Sequence, residues 1–179
     1  MADIDYASIE LLVLDVDGVM TDGRIRITDA GEEMKAFHVR DGSGMKFWKR
    51  AGGKIAMLSG RHSPAMQRRA EELGVDAVRT GAKDKLPAYR EILAELSAGP
   101  ERTAVVGDDL PDLPLFGHCG LAVAVADAVE ELRRAADYVT AARGGAGAVR
   151  EVVELILKRA GKWDRILARY VRPADGPEA

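Results

Sequence analysis

Asp15 and Asp17 stand one residue apart at the end of the apolar run Leu11-Leu12-Val13-Leu14, and Gly18 follows them. Side chains alternate along a strand, so both acids would share a face if the strand continued. Gly18 is expected to break it, leaving the two acids in a loop at the carboxyl end of a buried strand. Open α/β sheets bind ligands at that end. Two carboxylates crowded there are costly unless a cation, a proton or a lysine offsets them. The pattern asks for a metal and for chemistry, although Asp-Gly is by itself also a turn dipeptide. Three later segments offer partners. Ser59 ends the run 54–58, Lys85 opens a helical pattern, and Asp108, Asp109 and Asp112 follow the run 103–106. Singly, each has a plainer reading: a turn at Ser59-Gly60, a surface lysine, a helix N-cap at Asp109, a first-turn acid at Asp112. Their joint order after successive strands favours a site.

The elements that must position these groups alternate between strand and helix signals. Residues 24–27 and 34–39 alternate apolar and polar types around the turn signal 29–33, which predicts a β-hairpin insertion over about 22–39. Helices are expected over 41–50, from Ser63-Pro64 to Leu73, and over 84–96, 128–136 and 148–160. Strands are expected over 54–58, 77–79, 103–106, 121–125 and 138–140. Such alternation implies an α/β fold, a Rossmann-like parallel sheet with helices on both faces. Residues 1–162 read as a single domain without a cap domain. Residues 163–179 read as a C-terminal tail, with a disorder-prone composition over 172–179.

Composition narrows the function classes. The 179 residues are 47% hydrophobic and 31% charged, with a net charge of −3. That is an ordinary globular balance. No long basic run points to nucleic acid, and no apolar run reaches the length of a membrane span. The acidic start, Met1 to Asp5, lacks the basic region of a secretory signal. The single cysteine, Cys119, fits a reducing cytoplasm and reads as a buried small residue rather than a reactive thiol.

Taken together, Asp15-Val16-Asp17-Gly18, Leu58-Ser59-Gly60, Lys85 and Gly107-Asp108-Asp109-Leu110-Pro111-Asp112 resemble the four motifs of the haloacid dehalogenase superfamily, most of whose members are phosphatases. The resemblance continues through Thr21-Asp22-Gly23, Phe37-His38-Val39-Arg40-Asp41-Gly42, Val123-Ala124-Val125-Ala126-Asp127-Ala128 and Gly144-Gly145-Ala146-Gly147-Ala148-Val149-Arg150-Glu151. Over residues 9–162 the chain is similar to the capless subfamily of 3-deoxy-D-manno-octulosonate 8-phosphate phosphatases. Ala146 departs from it, since that subfamily often has arginine there.

A phosphate dianion meeting an aspartate at about 3.5 Å is repelled by roughly 9 kcal/mol at an effective dielectric near 20. A divalent cation reverses that field, and hard oxygen ligands favour Mg²⁺. The resemblance implies Asp15 as nucleophile, forming an aspartyl-phosphate, and Asp17 as general acid and then base. It implies Mg²⁺ held by Asp15, the Asp17 backbone carbonyl and Asp108. Ser59 and Lys85 would hold the phosphate, with Asp109 and Asp112 supporting Lys85 or a metal-bound water. Arg40, Arg61 and Arg150 are candidates for a substrate carboxylate, because guanidinium offers a bidentate fork; surface ion pairs are their plainer reading. The implied substrate is a small phosphorylated eight-carbon sugar acid. A nine-carbon relative, another small phosphoester, or a non-catalytic tetramerisation module are the alternatives. The resemblance also implies a homotetramer joined through the hairpin, whose exposed edges favour self-pairing.

Overall fold

The computed structural model describes residues 4–171. Five strands lie side by side with a sixth in one parallel sheet of order β5-β4-β1-β6-β7-β8. They are β1 (Leu11–Leu14), β4 (Lys54–Leu58), β5 (Ala77–Arg79), β6 (Thr103–Gly107), β7 (Leu121–Ala124) and β8 (Tyr138–Val139). β1 is paired on both sides, Leu12 facing Ile55 of β4 and Ala104 of β6. A strand with two neighbours and helices above and below must be apolar throughout, and all four of its residues are buried.

Alternate residues feed two cores. Leu12, Leu14, Ile55, Met57 and Val106 face one core, where α1 (Val39–Arg50), α2 (Pro64–Leu73) and α6 (Ala148–Arg159) pack through Met45, Trp48, Met66 and Val153. Leu11, Val13, Ala56, Leu58 and Val105 face the other, covered by Tyr89 and Ile92 of α3 (Lys85–Leu96) and Leu115 of α4 (Leu113–Phe116). A short α5 (Glu130–Ala135) precedes β8. The chain runs from β1 outward through β4 to β5, then returns to place β6 on β1's other side. Such a reversal opens a crevice beyond the carboxyl ends of the two central strands. Asp15 and Asp108 are the residues that follow β1 and β6.

Two expectations change. The hairpin is present but short: β2 (Arg26–Ile27) pairs antiparallel with β3 (Glu33–Met34) only. Lys35 leaves the ladder because its ammonium is drawn inward to Asp17. Two such strands are unstable alone. Lys35 with Asp17, and Glu33 with Arg61 at 2.6 Å, fasten the hairpin to the domain. The second change is at the C-terminus. Residues expected to be tail form α7 (Trp163–Leu167), with Ile166 buried and Trp163 edge-on to Phe47. Burying Ile166 and partly covering Trp163 extends the folded unit beyond 162. Residues 172–179, read above as disorder-prone, lie outside the described residues.

Candidate active site

Every motif residue reaches one cavity of about 370 Å³, lined by Asp15, Asp17, Ser59, Lys85, Asp108, Asp109 and Asp112. The backbone between Asp15 and Thr21 makes this possible. Gly18 has φ +110°, and a Cβ there would fall 2.0 Å from Oδ2 of Asp108. Only glycine allows both that backbone and that approach. The loop is held by the Thr21 hydroxyl, which donates to the Val16 carbonyl at 3.2 Å and accepts from the Gly18 amide at 3.4 Å. Gly144 presses on it from outside, since a Cβ there would meet the Gly18 carbonyl at 1.6 Å. The glycine-rich segment thus buttresses the acid loop.

At the centre, Lys85 Nζ donates to Oδ1 of Asp15 at 2.5 Å and to Oδ1 of Asp112 at 2.6 Å. The other oxygen of Asp112 accepts the amides of Asp108 at 3.2 Å and Asp109 at 3.5 Å. Asp112 therefore orients Lys85 and the acid loop together. Asp109 is exposed and caps its own turn, accepting the Leu110 amide at 2.8 Å. Ser59, only 2% exposed, donates to Oδ2 of Asp17 at 3.3 Å and accepts the Arg61 amide at 3.1 Å.

Carboxylate oxygens of Asp15, Asp108 and Asp112 lie within 4.8 Å of one another. Three acids share a single lysine, and burial makes the excess charge costly. Burial, joined by the charges of Asp112 and Asp108, raises the Asp15 carboxyl well above its ordinary range despite Lys85. Burial and then Asp112 push Asp108 to about 7. Burial would lower Lys85, but Asp15 and Asp112 together outweigh it and keep the amine firmly protonated. An all-oxygen cluster short of positive charge has the chemistry of a hard divalent cation site. Asp15 and Asp108 fit that ion as expected, whereas Asp112 is already committed to Lys85 and two amides.

Of the three arginines, only Arg61 lines the cavity. Arg40 is exposed on the first turn of α1 and does not line it. Arg150 bonds Glu154 at 2.7 Å, and its guanidinium lies 4.6 Å from the Phe47 ring centroid and 5.6 Å from that of Trp163. Its plane suits aromatic faces as well as carboxylates, and here the aromatics take it. Asp41, in the segment shared with the family, accepts the amides of Gly147 at 3.2 Å and Arg150 at 2.8 Å. It caps α6 and joins it to α1 rather than serving the cavity. Cys119 is half-buried, and burial pushes its thiol up to about 12, in keeping with an inert thiol.

Sequence reasoning missed Lys35 and Glu33. Lys35, with a side chain 4% exposed, pairs with Asp17, and Glu33 pairs with Arg61. Their separation by two residues, on the face opposite Met34, was the available signal.

A family model described as haloacid dehalogenase-like hydrolase matches residues 78–152. The chain is 49% identical over 151 residues to a 3-deoxy-D-manno-octulosonate 8-phosphate phosphatase of Yersinia pestis, covering 84% of this chain and 81% of that one. With the Escherichia coli K12 enzyme of the same name it shares 46% over 157 residues, covering 88% and 84%. The chain belongs to this phosphatase family. Among solved structures, the phosphatase from Moraxella catarrhalis in complex with magnesium, phosphate and KDO aligns with a TM-score of 0.90 at 40% identity, covering 93% of this chain and 95% of that one. A probable phosphatase from Pseudomonas syringae aligns at 0.91 with 42% identity, covering 94% and 96%. This member of the family carries the full phosphatase motif set in one cavity, and it is a phosphoric monoester hydrolase.

Proposed function

We propose that this enzyme hydrolyses 3-deoxy-D-manno-octulosonate 8-phosphate to 3-deoxy-D-manno-octulosonate and phosphate, a step toward lipopolysaccharide precursors. The observation that carries the reading is the buried contact between Asp15 and Lys85 beside Asp108, in a family whose curated members are named for that reaction. Asp15 Oδ2 attacks phosphorus and forms an aspartyl-phosphate while the bond to the sugar oxygen breaks. Asp17 gives that oxygen its proton, then takes one from the water that attacks the phosphoenzyme. Lys85 holds a phosphate oxygen against Asp15, and Ser59 turns its hydroxyl from Asp17 to the same group. Asp15, Asp108 and the Asp17 carbonyl would hold Mg²⁺, whose charge would offset the crowded acids and the phosphate dianion. Arg61 would take the sugar carboxylate, a reading supported by its position on the cavity wall. The intact motif residues weigh against a non-catalytic module.

The test is phosphate release from eight- and nine-carbon ulosonate phosphates and from generic esters, each with Mg²⁺ and with EDTA. The eight-carbon acid should give the highest kcat/KM, and EDTA should abolish turnover. Metal-independent hydrolysis, or a better nine-carbon substrate, would sink this assignment.

We also read the enzyme as a homotetramer. Ile25, Ile27 and Met34 are 54%, 68% and 55% exposed on the hairpin. An apolar ribbon of that kind, beside an open cavity with no cap domain, suits burial by other copies of the chain. Light scattering should give four times the 19.3 kDa chain mass; a fully active monomer would contradict it. No helix among the described residues is long and apolar enough to cross a membrane. A single free thiol suits the reducing cytoplasm, where we place it.

A further inference from the structure

Glu33 stands between two cations: Arg61, which lines the cavity, and Lys35, which pairs with Asp17. Its Oε2 accepts from Arg61 Nη2 at 2.6 Å, and its Oε1 lies 3.2 Å from Lys35 Nζ. Lys35 nevertheless directs its hydrogen bond to Oδ1 of Asp17. Four charges therefore alternate in sign along a row: Asp17, Lys35, Glu33 and Arg61.

The row has a defect. Glu33 Oε1 is buried and receives no aligned hydrogen bond, although an ammonium stands beside it. Leaving a buried acceptor unmade costs about 1–3 kcal/mol. Meanwhile both oxygens of Asp17 are engaged, Oδ1 by Lys35 and Oδ2 by Ser59. A general acid must face the leaving oxygen; Ser59 releases Oδ2 when phosphate binds, so the Lys35 contact at Oδ1 is what still holds the Asp17 carboxylate in its present orientation. A small rotation of the Lys35 side chain exchanges one carboxylate for the other. What holds it back is that Glu33 is already engaged by Arg61, the leading cause, ahead of Lys35 and Ser63, that holds its carboxyl at about 2. Arg61 also lines the cavity, its side chain 44% exposed.

We propose that Glu33 is a specificity-determining residue that occupies Arg61 in place of the substrate's carboxylate, and that its displacement by that carboxylate draws Lys35 from Asp17 to Glu33. This rests on the sugar-acid reading above. An ester with a carboxylate takes Arg61, releases Glu33 to receive Lys35, and leaves Asp17 Oδ1 free to face the leaving oxygen. An ester without one leaves the row undisturbed and Asp17 paired. Discrimination is then spent on the reacting geometry, so it appears in kcat as well as in binding.

The experiment compares wild type and Glu33→Gln on 3-deoxy-D-manno-octulosonate 8-phosphate and on ribose 5-phosphate, a sugar phosphate with no carboxylate. Glutamine keeps the length but cannot compete for Arg61 or draw Lys35. For the sugar acid, KM should fall about threefold as the competing ion pair is lost, and kcat should fall about tenfold as Asp17 stays paired. Neither constant should move for ribose 5-phosphate. Equal loss on both esters would mean that Glu33 only fastens the hairpin, and would overturn the proposal. So would a ratio of the two esters' kcat values that the substitution leaves unchanged. If wild type shows no preference for the acid-bearing ester, the sugar-acid reading itself fails and this exchange falls with it.

Discussion

Asp15→Asn should lower kcat on 3-deoxy-D-manno-octulosonate 8-phosphate by about 10⁴-fold or more, because it removes the nucleophile that forms the phosphoenzyme in the proposed reaction. The same substitution should stabilise the metal-free protein. Burial is the leading reason why the Asp15 carboxyl favours its proton, with Asp112 and Asp108 adding to it. A carboxyl whose folded pKa lies above its unfolded value costs stability as pH rises between the two. That cost grows as pH rises above the unfolded value, and asparagine removes it while its carbonyl can still accept from Lys85. A melting temperature above wild type in EDTA, with turnover gone, is the expected pair of results. Residual turnover near wild type would remove Asp15 from the chemistry, and a lower melting temperature would contradict the charge argument. Asp17→Asn provides the contrast. Loss of an acid/base group costs about 10²–10⁴-fold, and the loss should shrink for esters of good leaving groups, which need no proton.

Lys85→Met should unfold far more easily than wild type in EDTA at pH 8. Among the described residues the ammonium is the only cation in contact with Asp15 and Asp112, at 2.5 and 2.6 Å, and all three side chains are at most 6% exposed. Removing one member of a buried charge group typically costs about 3–5 kcal/mol. The sign with pH follows from the acids left behind. Asp108 already titrates near 7 with Lys85 present, chiefly through burial. Without the lysine, ionising Asp15 and Asp108 carries a still greater penalty, which both escape by taking up protons as pH falls. The deficit should therefore be large at pH 8 and shrink toward pH 5, read as urea midpoints at each pH. Mg²⁺ should recover part of it at pH 8 by supplying the missing charge. A deficit that does not change with pH would show that packing, not charge, is what Lys85 contributes.

Most of the fold was legible because its signals are local. β4 and α2 occupy the residues that the apolar pattern and the Ser63-Pro64 to Gly74 boundaries indicate, with Ser63 capping and Gly74 left-handed at φ 64°. β6 runs one residue further than expected, into Gly107, whose lack of a side chain leaves room for Asp112. α7 was missed because five residues are too few to display a helical period, and its amphipathic character appears only once Phe47 lies beneath Trp163. The motif acids, Ser59 and Lys85 were legible as a set because each sits directly beyond a strand or at a helix start. Sheet topology brings such positions to one edge.

Arg150 and Lys35 mark the opposite limit. Both are long cations, and sequence gives each the same freedom to find an aromatic ring, a surface acid or a substrate. Arg150 faces Phe47 because α6 packs on α1, and Lys35 meets Asp17 because the hairpin folds back across the site. The amino-acid order thus determined the strand and helix succession, the acids at the strand ends and the need for a cation among them, since propensity, periodicity and spacing act over a few residues. The tertiary structure alone decided which charges pair: Lys85 with Asp15 across 70 residues and Arg61 with Glu33 across 28. Coulomb energy and desolvation depend on distance through space, and spacing along a chain does not encode that distance until the sheet has closed it.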